Sequence, residues 1–189
     1  MRTRRTRRNR PEVLRVRVLF AMLLAMSTSG CTGMQPRYAY VDSVASQSAE
    51  QMGRYVLLAE PRGYDDPRAL PGYERKRHEK FVVLTHNVLR SAGFQKVESP
   101  DEAELVIVLD YGVEADTGAV HAQRTSSVKL IAFDWMAVRD ADRRNALWRT
   151  HAWMDGSSGG LGRVVPELLE ALRPYVGTRT DGAVEVILH

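Results

Sequence analysis

The sequence predicts an α+β fold: a two-layer α/β sandwich in which a mixed, mostly antiparallel sheet carries two helices on one face. Three observations predict it. Residues 73–92 and 161–176 carry apolar side chains at helical spacing. Between them, residues 105–154 break into apolar, β-branched runs separated by polar turns, the pattern of an antiparallel meander. Further strand-like runs precede the first helix and follow the second, so the order is strand, helix, strands, helix, strand.

Tyr38 to Val44 has strand character, and Ser46 to Gly53 is a polar break. Arg54 to Ala59 is a firmer strand, stopped by Pro61 and Gly63, and the loop 63–72 holds two prolines. The first helix runs from Tyr73 to Ala92. Phe81, Leu84, Val88 and Ala92 recur on one face, Val82 and Leu89 widen it, and the charged run 74–80 forms solvated first turns. Gly93 falls where a C′ glycine belongs, with Phe94 closing the end hydrophobically. Ser99 is placed to cap a single turn that has Pro100 at its first position.

Leu105 to Leu109 is the most apolar run of the folded part and reads as a strand buried on both faces. Residues 114–125 read as a polar loop, Ser127 to Val138 as a long strand, Arg139 to Asn145 as a charged turn, and Ala146 to Met154 as the third meander strand. Gly156 to Gly160 leads into the second helix, striped by Leu161, Val164, Val165, Leu168, Leu169, Leu172 and Val176. Pro166 implies a start near Val165 or a bend there. Gly177 ends this helix, and Ala183 to Leu188 is the last strand. The step from strand 54–59 through the first helix to strand 105–111 makes a right-handed crossover if those strands are parallel.

The N-terminus is a separate matter. Residues 1–17 hold eight arginines against one acid, Glu12, followed by nine apolar residues, Val18 to Met26, and the small residues Ser27 to Gly30. A positive segment, a short apolar core and a small-residue junction make a secretory signal. The core is too short for a transmembrane span, which takes about 20 residues. The arginine pairs at 4–5 and 7–8 invite a twin-arginine reading, but Asn9-Arg10-Pro11 lacks that motif's apolar positions. At the junction, Thr28-Ser29-Gly30-Cys31 resembles the lipobox of bacterial lipoproteins, with Thr28 where leucine is usual.

The expected layout is therefore a signal peptide over 1–30, a lipidated Cys31 with a linker over 31–37, and one α/β domain over 38–189. Acyl chains on Cys31 are the expected contact with membrane lipid, two or more being needed for stable anchoring at about 0.8 kcal/mol per buried CH₂. Thr32 in place of aspartate points, by the same resemblance, to the outer membrane and its periplasmic face.

The chain carries 27 basic and 23 acidic residues, a net charge of +4. Residues 1–30 hold eight arginines and one acid, which leaves 19 bases and 22 acids in residues 31–189, a net of −3. The basic balance belongs to the signal, and no nucleic-acid partner is implied. Cys31 is the single cysteine, so the domain relies on its own core and has no thiol redox or Cys-based zinc chemistry.

No pattern supplies a catalytic, cofactor or metal site. The histidines, 78, 86, 121, 151 and 189, form no i,i+4 pair and no H-E-x-x-H. Gly156 to Gly162 lacks the Gly-Lys-Ser/Thr of a phosphate loop, and there is no G-x-S-x-G. Asp110 and Asp134 lie in apolar strands, where buried carboxyls have raised pKa values, but strand ends facing water explain them as well. His151, Trp153 and Asp155 share one strand face, and Trp135, Trp148 and Trp153 concentrate aromatic surface on the meander. Trp148 reads as core; Trp135, Trp153 and His151 are the candidate binding surface.

Several short stretches carry a further resemblance: Val41-Asp42-Ser43-Val44-Ala45-Ser46, Tyr55-Val56-Leu57-Leu58, Leu89 with Gly93-Phe94, Ala103-Glu104-Leu105-Val106-Ile107 before Tyr111-Gly112, Leu147-Trp148-Arg149-Thr150, and Pro166 with Tyr175-Val176-Gly177. On these, residues 38–188 resemble the DUF4136 domain, a bacterial lipoprotein family of unknown function. The resemblance implies an envelope lipoprotein with an α/β sandwich and carries over no catalytic residue. The expected function is a non-enzymatic, membrane-anchored periplasmic module that contacts an envelope partner through edge strands or an exposed sheet face. One alternative is a small-molecule or lipid binder with its pocket on the Trp135/Trp153 side. The other is a hydrolase, which needs Asp110, Asp134 or His151 within hydrogen-bonding reach of one another.

Overall fold

Among the described residues one mixed seven-stranded sheet, open at both edges, organises the protein, which we describe from a computed structural model. The described residues are 37–46, 53–61, 68, 70–115, 124–139, 145–156 and 160–188. The expected signal, Cys31, the linker up to 36, the interior of the charged turn, residues 157–159 of the glycine-rich stretch, His121 and His189 lie outside them. Residues from Pro36 onward form one unit. Among the described residues no helix is long and apolar enough to cross a membrane.

The elements run β1 (Arg37–Ala45), β2 (Arg54–Pro61), α1 (Gly72–Ser91), β3 (Gln95–Lys96), a 3₁₀ turn (Pro100–Glu102), β4 (Leu105–Ala115), β5 (Arg124–Asp134), α2 (Trp135–Arg139), β6 (Ala146–Asp155), α3 (Leu161–Leu172), a second 3₁₀ turn (Arg173–Tyr175) and β7 (Val184–Leu188). Across the sheet the order is β3-β2-β4-β5-β6-β1-β7. β2 is parallel to β3 and to β4, and every other pair is antiparallel. The meander is present as β4-β5-β6. β1 does not neighbour β2; it crosses to lie between β6 and β7.

Because side chains alternate along a strand, the registers sort the sheet into two faces. One face carries Tyr55, Leu105, Ile107, Leu109, Tyr111, Val128, Leu130, Ala132, Trp148, Ala152 and Val41, all buried. α1 and α3 cover it. α3 packs Val164, Val165, Leu168, Leu169 and Leu172 into this layer. Each such side chain contributes about 1.5–3 kcal/mol when fully buried.

Pro166 neither delays nor breaks α3, which runs unbroken from Leu161 after Gly160. Only one intrahelical bond, to the Gly162 carbonyl, is forgone, and the buried stripe outweighs it. α1 is rotated slightly from the expected face: its buried stripe is His78, Phe81, Thr85, Val88 and Leu89, while Ala92 is the exposed cap.

Helix α1 ends as its sequence requires. Gly93 has φ +92°, Phe94 N–H donates to the Leu89 carbonyl (3.0 Å) and Gly93 N–H to that of Arg90 (3.0 Å), the two bonds of a Schellman motif. Ser99 Oγ accepts from Asp101 N–H (3.3 Å) and caps the 3₁₀ turn. Glu104, whose role the sequence left open, clamps the parallel pair. The N–H groups of Gly53 and Arg54 donate to its Oε2 (2.9 and 3.0 Å), and the Arg54 guanidinium donates to Oε1. These bonds hold its carboxyl below the usual carboxylate range.

Three boundaries differ from expectation. α3 ends at Leu172, not at Gly177, and the 3₁₀ turn Arg173–Tyr175 carries the chain on. β4 and β5 extend into the expected polar loop, to Ala115 and from Arg124. The expected strand over 127–138 stops at Asp134, because that carboxylate accepts the N–H groups of Met136 (2.8 Å) and Ala137 (3.3 Å) and turns Trp135–Arg139 into a short helix.

Gly177 makes a sharper demand than Gly93. Its φ is +69°, and a Cβ there meets Phe94 Cζ at 3.2 Å, whereas a Cβ on Gly93 meets nothing within 4 Å. Gly177→Ala is expected to cost about 1–2 kcal/mol from the left-handed backbone alone, and more than Gly93→Ala because the ring is also displaced. Urea midpoints of the two variants check the order.

Candidate functional site

The face opposite the helices holds two of the three residues singled out from sequence, His151 and Trp153. His151 and Trp153 lie two apart on β6 and stack with ring centroids 4.8 Å apart; Tyr40 on β1, the register partner of Trp153, adds a third ring at 5.8 Å. Tyr38 and Ile187, register partners and both exposed, extend this patch to the β1–β7 edge. Trp135 does not join it. Trp153 pairs with Ser127, and Trp135 lies beyond Phe133, six positions along β5, so roughly 20 Å separates the two ends. Trp135 instead donates its main-chain N–H to the Glu104 carbonyl (2.9 Å). Trp148 points to the helices and is core, against Phe94.

The three groups considered for hydrolysis are not assembled. Asp110 and His151 each pair in register with Lys129, one on either side, so a whole strand stands between them. Asp134 pairs with Leu105 on the other face and caps α2. Among the described residues no group of three or more His, Cys, Asp or Glu converges as a metal site.

Among the described residues two clefts border the helices, and neither is lined by Trp135 or Trp153. The first, about 400 Å³, runs between α3 and the edge strand β7, with Pro166 and Ala171 on one wall and Val186 and Leu188 on the other. Glu167 and Glu170 stand at its rim. Glu167 is held by Arg37 (2.8 Å) and Arg163 (3.1 Å), so the rim's acid charge is largely neutralised. Among the described residues β7 pairs only with β1, which leaves its other edge open.

The second cleft, about 630 Å³, lies between the C-terminal half of α1 and β3. Val83, His86, Asn87 and Arg90 recur at i, i+3, i+4 and i+7 along one side of α1 and form one wall; Phe94, Gln95 and Lys96 form the other. Tyr55 closes the inner end, its hydroxyl 2.8 Å from His86 Nδ1. Burial pushes the Tyr55 pKa up to about 12, so it stays a phenol. The spacing on α1 was legible in the sequence. The opposite wall was not, because a two-residue strand leaves no periodic trace.

A second tyrosine–histidine pair lies deeper along α1, with Tyr111 hydroxyl 2.7 Å from His78 Nδ1. Burial lowers the pKa of both histidines below the usual 6.5; for His86, Lys96 adds to the effect. A depressed folded-state pKa contributes stability that is complete above the unfolded value and lost as pH falls from it. The urea midpoint is therefore expected to decline as pH drops below about 6.5, and His78→Gln is expected to flatten that decline. Equal pH slopes in the variant and the parent speak against the assignment.

No protein-family model and no curated protein matches this sequence. Similar solved structures exist. A PDZ domain protein from Parabacteroides distasonis superposes with TM-score 0.52 at 10% identity, over 88% of this chain and 42% of its own. A DUF4136 family protein from Bacteroides thetaiotaomicron aligns over 74% of this chain and 97% of its own, at 12% identity and TM-score 0.46. A PelC dodecamer from Paraburkholderia phytofirmans aligns over 75% and 99%, at 17% identity and TM-score 0.44. The family suggested by the sequence motifs is thus represented among the structural neighbours. At these identities the likeness concerns the fold alone.

Proposed function

We propose that this chain is a lipoprotein tethered through acylated Cys31 to the periplasmic face of the outer membrane, and that its domain binds an envelope protein without catalysing a reaction. The observation that carries the binding half is the open edge of β7. Its sequence, Val-Glu-Val-Ile-Leu, has no proline, lysine or bulge to discourage pairing. It lies beside an apolar cleft with room for the side chains of an added strand. Main-chain bonds to the edge supply affinity in such strand addition, and the cleft supplies selectivity. The dispersal of Asp110, Asp134 and His151 supports a non-enzymatic role. The tether rests on the lipobox resemblance and the arginine-rich, apolar segment before it.

The test has two parts. Membrane-extracted protein is expected to have the intact mass of a chain cleaved before Cys31 and acylated, and Cys31→Ser is expected to leave the membrane fraction. A cleaved, unlipidated parent chain overturns the tether. A photo-crosslinker at Ile187, exposed on β7, is expected to yield a discrete adduct in intact cells that one at Tyr73, exposed on α1, does not. Equal adducts from both positions, or none, remove the edge from the proposal.

A further inference from the structure

We propose that the cleft between α1 and β3 is a binding site for an oxyanion, the carboxylate or phosphate group of a small ligand. The inference does not depend on the anchor or on the β7 edge. It starts from what lines the cleft: His86, Asn87, Arg90, Gln95 and Lys96 bring donors, and no carboxylate is among the lining residues. The amide oxygens of Asn87 and Gln95 are the only side-chain acceptors besides the Tyr55 oxygen and the imidazole.

Each donor is available for a physical reason. The Tyr55 hydroxyl engages His86 Nδ1 at 2.8 Å, which leaves Nε2 as the ring nitrogen open to the cleft. Arg90 makes no ion pair among the described residues, and its guanidinium presents a planar fork suited to two oxygens of one group. Lys96 pairs with Glu98 at 2.7 Å, but the Glu98 side chain is 88% exposed. Such surface pairs contribute little, so Lys96 is free to exchange partners.

The negative end of α1 does not oppose this, because the Schellman bonds already occupy the Leu89 and Arg90 carbonyls. Burial is the main cause of the lowered His86 pKa; Lys96 and Arg90 add to it and Glu98 opposes them. The volume, about 630 Å³, suits a small molecule.

The experiment follows the His86 imidazole by NMR in the detergent-extracted full chain, assigned through His86→Gln. Inorganic phosphate and, separately, acetate are titrated at ionic strength held constant with sodium chloride. The expected result is a saturable shift of the His86 signal and a rise in its apparent pKa, since a bound anion favours the imidazolium. Arg90→Gln is expected to weaken the response about tenfold, the loss of a charged hydrogen bond, and Lys96→Gln to weaken it less. Arg149→Gln, on the sheet face away from the helices, is expected to leave it unchanged. Saturation by only one of the two probes assigns the group as phosphate or carboxylate. A linear, unsaturable shift with both probes overturns the proposal, as does a response that Arg90→Gln and Lys96→Gln leave unaltered.

Discussion

Trp148→Ala is expected to lower the unfolding free energy by about 3–5 kcal/mol, a large part of the roughly 5–15 kcal/mol that holds a domain of this kind together. Trp148 is 1% exposed on β6, and its register partners on either side, Ala132 on β5 and Ala45 on β1, are both alanines. This small-large-small row across the helix-facing side makes room for the indole, which tilts against Phe94 at 5.5 Å. Neither alanine beside it in the sheet is large enough to refill the space once the ring is gone. Its Nε1 has no hydrogen-bond partner among the described residues. Trp148→Phe is therefore expected to cost only about 1 kcal/mol, since it removes an orphaned donor along with part of the ring. Urea unfolding of both variants checks the pair. A phenylalanine variant as unstable as the alanine one contradicts this account.

Ser43→Ala is expected to cost about 1–3 kcal/mol, the penalty for stranding buried polar groups, and to act at a distance. Ser43 is fully buried on β1, with its Oγ 2.8 Å from Thr150 Oγ1 and 2.9 Å from the carbonyls of Tyr175 and Thr178. Its N–H donates to Thr180 Oγ1 (2.9 Å), and Thr180 N–H returns to the Ser43 carbonyl (2.9 Å). The cluster pins residues 175–180 to the sheet and so delivers the chain to β7. Without the hydroxyl, the Thr178 carbonyl loses its side-chain donor. Hydrogen exchange is expected to quicken over 176–188 while α1 stays protected. Uniform quickening throughout the domain is the contrary result, and shows a global rather than local role.

The difference between these residues bears on what a sequence can disclose. Trp148 is recognisable as core because a large aromatic in an alternating run belongs on the buried face. Ser43 is not recognisable at all. A serine in a strand usually faces water, and its burial follows from β1 lying between β6 and β7, a placement that no local pattern encodes. Trp135 and Asp134 fail in the opposite sense: the apolar run continues, but one carboxylate reaching two N–H groups ends the strand, and Trp135 departs from Trp153. The α1–β3 cleft is half legible, one wall written at helical spacing and the other supplied by residues too few to show a period.

By itself the sequence determined what depends on neighbours along the chain. That includes the two main helices and their apolar stripes, the glycine end at 93, the Ser99 cap, the meander, and the stretches that resemble the DUF4136 domain and a lipobox. Their causes are steric and periodic, so a few adjacent residues suffice. Only the tertiary structure decided the strand order, the sorting of His151 and Trp153 from Trp135, the clamp at Glu104, the open edge at β7 and the donor-lined cleft. Each of these depends on pairings between residues far apart in the chain, and the free energy that selects among such pairings comes from burying whole faces together.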